Sequence, residues 1–320
     1  MDVSIICVNW NSVDYLRECI ASIYANTWGL SFEIIVVDNA SPQGGVESLS
    51  EKFPEISIIK NPTNLGFAGA NNLGFRSSTG QYVLFLNPDT ELVGPTINIL
   101  MEHIKSLPGA GIVGCKMLNT DRSVQITSIQ KFPTILNQVF NTEILQRRWP
   151  GCPLWDLAPL FSDDVDMIEV EVIPGACMLL RREAFAAVGM FSEEYFMYAE
   201  DLDLNYKLKR AGYKNYYVGK AVIIHHGGKS SSKQKVSQWS TIMKYRAMTR
   251  YYRKTRGVWY ETMYRAVMGF VALGRLTLLT LLYPFGDMIW EKAALRNALE
   301  KWKAVLKWAI DRRDPLLEQR

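Results

Sequence analysis

Apolar residues in the first ninety positions fall into short runs that stop on polar turn residues. Val3–Val8, Glu33–Val37, Ile56–Lys60 and Tyr82–Leu86 are each bounded by Asn, Pro, Gly or Asp. Strands apolar on both faces belong inside a parallel sheet covered by helices. Between the first two, Asp14–Ala25 carries Tyr15, Cys19, Ile20 and Ile23 at helical spacing. The alternation predicts a doubly wound, mostly parallel α/β domain with a nucleotide crevice at the carboxyl ends of its strands. The pattern then weakens. Residues 118–170, broken by Pro133, Pro150, Pro153 and Pro159, read as a loop-rich insertion on the acceptor side of a cleft. Strands return at Glu169–Pro174 and Cys177–Arg181, and one or two more cross Tyr216–His225. Between them, Glu200–Arg210 has acids in its first turn, bases in its last and Gly212 just beyond, which predicts a helix.

After Gly228 the composition changes. Ser230–Ser232, flanked by lysines, is read as a hinge, followed by a basic, aromatic helix over Gln234–Arg256 and further helices over Glu261–Leu282 and Met288–Ile310. The expected division is therefore 1–228 and 229–320. With 320 residues, 48% hydrophobic and 21% charged, the chain is globular in composition. Its five cysteines are scattered and odd in number, which argues against a disulfide framework or zinc cage and suits a reducing compartment. The first residues form a strand-like run, so no secretory leader is expected. The formal charge is only +4, yet Leu204–Tyr260 holds fourteen Lys or Arg and no acid. Such a block suits phosphate groups, and a solvated face would account for it equally well.

Four features at predicted strand ends could carry chemistry. Val36-Val37-Asp38-Asn39-Ala40-Ser41 ends a strand on an Asp able to accept hydrogen bonds from a nucleobase or ribose; an Asx-turn alone would also explain it. The glycine-rich stretch from Asn61 to Gly74 permits close backbone approach and precedes a helix start that could offer N–H groups to phosphate. Asn87-Pro88-Asp89 sets two oxygen ligands side by side for a hard cation, although the tripeptide is strong turn chemistry by itself. Glu200-Asp201-Leu202-Asp203 places three carboxylates at a helix N-terminus beside Tyr195, Phe196 and Tyr198. His225-His226 closes the last strand, where a histidine near a carboxylate is a candidate metal ligand. Gly228-Lys229-Ser230 is not a phosphate loop, because the required upstream glycine is Ile223.

The order of these motifs is more specific than any one of them. Val-Ser-Ile-Ile-Cys-Val-Asn-Trp-Asn, Val-Val-Asp-Asn-Ala-Ser, Asn-Leu-Gly-Phe-Ala-Gly-Ala-Asn-Asn, Leu-Asn-Pro-Asp-Thr, Pro-Gly-Ala-Cys-Met-Leu-Leu-Arg-Arg, Glu-Asp-Leu-Asp and His-His-Gly-Gly follow one another along residues 3–256. The set resembles the family 2 inverting glycosyltransferases of GT-A fold, and among them the bacterial rhamnosyltransferase-like members. The resemblance implies that Asp38 contacts the base of a nucleotide sugar, with Asn9 and Asn11 beside it. It implies that Asn64, Gly66, Phe67 and Asn72 line the donor pocket, and that Asn87-Pro88-Asp89 stands where the family has Asp-x-Asp. It further implies a divalent metal, Mn or Mg, held by Asp89 and His225, a donor-side contact from Asn87, and Asp201 as catalytic base. Pro174-Gly175-Ala176 would shape the acceptor side. The implied donor is a dTDP- or UDP-sugar, and the acceptor a glycan or lipid-linked glycan.

Ala266–Gly286 is apolar apart from Arg275. Its favourable residues and one central Arg nearly cancel on an insertion scale, so crossing a membrane is not decided by composition. With basic helices on either side, the stretch is read as a surface lying on a membrane; a helical subdomain or dimer contact is the rival reading. The expected location is cytoplasmic, at the inner face of the membrane, with homo-oligomers left open. Nucleic-acid binding through residues 204–260 and a catalytically inactive glycan-binding relative are the alternatives. A nucleotidyltransferase would need a glycine-rich basic loop after the first strand, and Val8–Asp14 has none.

Overall fold

A computed structural model of the chain describes residues 1–162, 165–227, 238–285 and 292–311. The expected hinge at Ser230–Ser232, the 228/229 boundary and the first residues of the helices expected from Gln234 and Met288 lie outside them. The described residues divide into two compact units. One holds Met1–Pro133, Asn141–Phe196 and the described residues from Glu200 to 227; the other holds Thr134–Phe140, Met197–Ala199 and the described residues from 238 onward.

The first unit opens with β1 (Val3–Asn9), α1 (Val13–Asn26), β2 (Phe32–Asn39), α2 (Ser48–Lys52), β3 (Ser57–Asn61), α3 (Gly66–Arg76) and β4 (Tyr82–Leu86). It continues through β5 (Thr90–Leu92), α4 (Thr96–Ser106), β6 (Ala110–Leu118), α5 (Ile135–Val139, in the second unit) and α6 (Glu143–Arg148). The remaining elements are β7 (Met167–Val170), β8 (Cys177–Arg181), α7 (Arg182–Ala187), α8 (Glu200–Arg210) and β9 (Lys214–His225). The sheet runs β3-β2-β1-β4-β8-β6-β9-β5, with β7 paired to β9. Strands β3, β2, β1 and β4 are parallel. Beyond β4 the sheet is mixed: β8 is antiparallel to β4 and β6, while β9 is parallel to β6.

This topology collects the chemistry on one edge. The carboxyl ends of β1, β2, β4 and β9 all point the same way, and the antiparallel β8 begins there. The three-residue β5 pairs Thr90 with His225, which draws the turn before it against the end of β9. The strand expected over Glu169–Pro174 stops at Val170, with an isolated bridge from Val172 to Gln130. Residues 216–225 belong to one twelve-residue strand with a register shift against β6 between Cys115 and Lys116.

Burial follows the apolar pattern. Strand β1 is buried along nearly its whole length, and α1 buries Leu16, Cys19, Ile20 and Ile23 against the sheet. Helix α3 lies close on the sheet because its inner face is small: a Cβ at Gly74 would stand 2.6 Å from Ile6 Cγ2 and 3.1 Å from Val37 Cγ2. The second unit contains α9 (Gln238–Arg256), α10 (Val258–Leu282) and α11 (Lys292–Ile310). Part of the basic block is paired with acids. Lys214 pairs with Glu169 at 2.8 Å, Lys220 with Asp166 at 3.0 Å, and Arg253 with Glu261 at 2.6 Å. Those acids come from elsewhere in the chain.

Candidate active site

The parallel register puts Asn9 beside Asp38 at the ends of β1 and β2. Asn9 Nδ2 donates to Asp38 Oδ1 at 2.7 Å and to Ser41 Oγ at 3.1 Å, while its Oδ1 accepts from Ser12 N–H at 3.1 Å. Asn11, in the left-handed region with φ 54°, donates its backbone N–H to the same Ser41 Oγ and accepts from Gln43 N–H. Asn is among the few non-glycine residues that tolerate that conformation. The two asparagines therefore tie the 9–12 and 38–43 loops together around one buried carboxylate.

The glycine-rich segment is built differently from the expected phosphate cradle. Its first N–H groups are already used: Leu65 N–H donates to Asn39 Oδ1, Gly66 N–H to Asn64 Oδ1, and Phe67 N–H to Phe196 O. Gly66 has φ 71°, and a Cβ there would stand 2.0 Å from Phe196 O, so the glycine serves a backbone crossing. Asn72, which the resemblance puts in the donor pocket, has its amide bonded to the 191–193 segment. Buried in α3, it donates to Phe191 O and Glu193 Oε1 at 2.9 Å and accepts from Phe191 N–H. Asn64 is exposed, with its Oδ1 shared between Gly66 N–H and Asn39 Nδ2. Phe67 does reach the site: its Cζ would lie 3.3 Å from a Cβ on Gly175, and Asp201 Cβ 3.7 Å from the same point.

At the end of β4, Asn87 N–H donates to Ala176 O at 2.9 Å, and Thr90 Oγ1 closes the turn onto Asn87 O at 2.7 Å. His226 N–H donates to Asp89 O at 2.9 Å, which fixes the turn against β9. Asp89 is buried, with Oδ1 3.4 Å from His225 Nε2, and Asn87 Nδ2 lies 3.4 Å from the same nitrogen. Burial alone would raise the Asp89 pKa, but the His225 contact and charge outweigh it and hold the carboxyl below its ordinary value. His226 is engaged elsewhere, between Glu91 Oε1 at 2.6 Å and Thr120 Oγ1 at 3.0 Å. Gln125 fixes the His225 ring: its Oε1 sits 3.0 Å from Nδ1, and its Nε2 donates to His225 O at 2.5 Å. This assigns a proton to Nδ1 and turns Nε2 toward Asp89 and Asn87, as the nitrogen a metal would take. Sequence reasoning missed Gln125, which lies 100 residues from its partner in a segment without pattern.

The acids of α8 have three different fates. Asp201 Oδ2 accepts from Gly175 N–H at 3.1 Å and its Oδ1 from Leu202 N–H at 2.8 Å. Burial raises its pKa, and those two donors work against the rise. Glu200 is buried, with Oε2 lacking a hydrogen-bond partner; burial, then the neighbouring Asp201 charge, push its pKa up to about 8. Asp203 is fully buried, accepts from Ser192 Oγ at 2.5 Å and lies 3.8 Å from Lys207 Nζ. Gly175 thus holds Asp201, and the next residue, Ala176, holds Asn87. Two consecutive residues at the head of β8 set the distance between the acid of α8 and the Asn-Pro-Asp turn.

Among the described residues no three His, Cys, Asp or Glu side chains form a metal cluster. Asp89 and His225 are two adjoining donors of the types Mn²⁺ and Mg²⁺ accept, a fit that leaves the remaining positions for diphosphate and water.

Comparison with known proteins agrees with this construction. Residues 4–189 match the family described as Glycosyl transferase family 2. The chain is 28% identical to N-acetylglucosaminyl-diphospho-decaprenol L-rhamnosyltransferase of Mycobacterium tuberculosis over 73% of its own length and 78% of the relative's. It is 26% identical to rhamnosyltransferase WbbL of Escherichia coli K12, over 78% and 93% of the two chains. Among solved structures, mannosyltransferase PcManGT from Pyrobaculum calidifontis, in complex with GDP-Man and Mn²⁺, shares the fold. Its TM-score is 0.53 at 17% identity, covering 96% of this chain and 86% of that one. The match spans more than half of the sequence and falls on the sheet whose edge carries the site, so the chain belongs to glycosyl transferase family 2 and is a glycosyltransferase of GT-A fold.

Proposed function

We propose that the enzyme is a metal-dependent, inverting glycosyltransferase that moves a sugar, rhamnose by preference, from a nucleoside diphosphate to a hydroxyl of a growing cell-surface glycan. The observation that carries this reading is the Gly175–Ala176 strut, which fixes Asp201 against the Asn87–Asp89 turn. Asp38, steadied by Asn9, is the acceptor for the donor's base or ribose. Asp89 and His225 would hold the divalent ion, Mn²⁺ or Mg²⁺, which when bound offsets negative charge on the leaving diphosphate. Asp201 takes the proton of the acceptor hydroxyl as its oxygen bonds to the anomeric carbon and the bond to the diphosphate breaks, inverting that centre in one step. The raised pKa of Asp201 makes it a stronger base than a free aspartate. The two rhamnosyltransferase relatives support the choice of sugar, and the diphospho-decaprenol in the mycobacterial one's name supports a lipid-linked acceptor. A lipid-linked acceptor in turn favours work at the cytoplasmic face of a membrane.

The test has two arms. Thermal-shift screening of dTDP- and UDP-sugars with and without Mn²⁺ or Mg²⁺ should select one donor, since a ligand at a hundred times its Kd stabilises by about 2.7 kcal/mol. With that donor, Asp201→Asn should keep near-normal donor affinity yet transfer at least about 100-fold more slowly in single turnover. Normal transfer by Asp201→Asn would overturn the assignment.

A further inference from the structure

Helix α10 has two faces of opposite character. Glu261, Tyr264, Met268 and Ala272, three or four residues apart, are buried against α9 and α11. All three charges of α10 are used on or beside that face. Glu261 accepts from Arg253 Nε at 2.6 Å, Arg265 donates to Trp308 O and Asp311 O, and Arg275 lies over the Trp302 ring at 4.8 Å. The opposite face carries Trp259, Met263, Ala266, Phe270, Leu273 and Leu281, again three or four apart, with uncharged Thr277 filling the one gap. Trp259 is 90% exposed, Phe270 75% and Leu281 67%. The helix is long and apolar enough to cross a membrane, with mean hydropathy 1.6 in a window of which 11% is buried. Its 25 residues span about 37 Å. An apolar stripe of that length, left open on a helix whose other face is packed, marks an interaction surface.

Charge decides what covers it. The described residues from 238 onward hold thirteen Lys or Arg against three acids. Two copies meeting face to face would oppose like charges, whereas an anionic headgroup layer complements them. Trp259 and Tyr260 at one end of α10 and Tyr283 at the other are residue types that favour the headgroup level. Helix α11 decides the orientation. It runs antiparallel to α10, pairing Arg265 with Trp308 and Arg275 with Trp302, and a Cβ on Gly269 would meet Ala309 at 3.2 Å. That places the exposed Lys301, Lys303 and Lys307 beside the middle of α10. Upright, α10 would carry these charges to the depth of the acyl chains, which membrane helices avoid.

The geometry points to α10 lying flat in the headgroup–acyl boundary of an anionic phospholipid bilayer, with its Trp259–Leu281 face down, and not crossing it. None of the stripe's residues is a candidate active-site residue, so the inference stands apart from the choice of sugar or metal. The experiment uses the full chain without donor. Flotation with vesicles of phosphatidylcholine and phosphatidylglycerol should carry the wild type upward, and Phe270→Glu/Leu273→Glu should lower the bound fraction at least tenfold. Both side chains are exposed; Phe270→Ala/Leu273→Ala, with a smaller loss, covers the case in which the charged pair misfolds. Alkaline carbonate should release the wild type from membranes of expressing cells. Failure of the wild type to float, or equal flotation of both double variants and wild type, would overturn the proposal. Resistance to carbonate would overturn the flat orientation, and a dimer in light scattering that the variants dissociate, without vesicle binding, would assign the stripe to a second copy instead.

Discussion

Glu200 and Asp201 are neighbours in sequence with opposite tasks, and the difference comes from their surroundings. Asp201 has two backbone donors; Glu200 has an oxygen with none and a carboxylate beside it. With its pKa pushed up to about 8, Glu200 holds its proton at neutral pH in the folded chain, while the unfolded chain releases it near the ordinary value of 4.5. An acid raised in this way takes stability away as pH climbs between those two values. Glu200→Gln, which imitates the protonated form, should therefore gain thermal stability over wild type steadily from pH 5 to pH 8 and no further beyond. Melting curves across that range check it, and a difference independent of pH would refute it. Gln125 offers a second test at this scale. Removing the acceptor that fixes His225 Nδ1–H by Gln125→Leu should cost about 10–100-fold in Mn²⁺ affinity in the presence of a nucleoside diphosphate. Manganese titration by electron paramagnetic resonance reads this directly, with an unshifted melting temperature expected alongside.

Elements explain which motifs the sequence could and could not disclose. The ends of β1, β2 and β4 were legible because buried parallel strands must be apolar and the crevice beyond them must be polar, so each run stops where the chemistry starts. Helix α8 was legible to the residue from its charge pattern. The packing uses of the glycine-rich segment were not legible because a glycine admits several: here Gly74 lets α3 lie on Ile6, and Gly66 lets the chain pass Phe196. Asn72 and Gln125 were beyond reach, since their partners lie 119 and 100 residues away. Likewise β5 has only three residues and no pattern of its own. The two uses of glycine can be separated. Gly94 has φ 75° with nothing within 4 Å of a built Cβ, so Gly94→Ala incurs backbone strain alone, about 1–2 kcal/mol. Gly66→Ala adds a collision with backbone to a similar φ, and should cost about 2–5 kcal/mol in urea unfolding. Equal losses for the two variants would mean that the Phe196 crossing contributes nothing.

On the scale of the whole molecule, charge is divided between the units more sharply than the net value suggests. The described residues from 238 onward carry +10, which leaves −6 on the rest of a chain whose total is +4. A uniform charge of +4 would bind anionic lipid weakly and lose all of that attraction in salt; a segregated one behaves otherwise. The basic helices are drawn to the headgroups over a Debye length of about 10 Å at 0.1 M salt, shrinking to about 3 Å at 1 M. The apolar face of α10 gains from leaving water at any ionic strength. Binding to anionic vesicles should therefore fall steeply between 0.05 and 0.5 M NaCl, each a chosen condition, and then level off at a residual affinity. That residue should be absent in Phe270→Glu/Leu273→Glu and present on neutral vesicles. Donor binding in the first unit, which depends on buried groups at the sheet edge, should change little over the same series. A binding curve that falls to zero with salt would assign the attraction to charge alone and remove the stripe from the account.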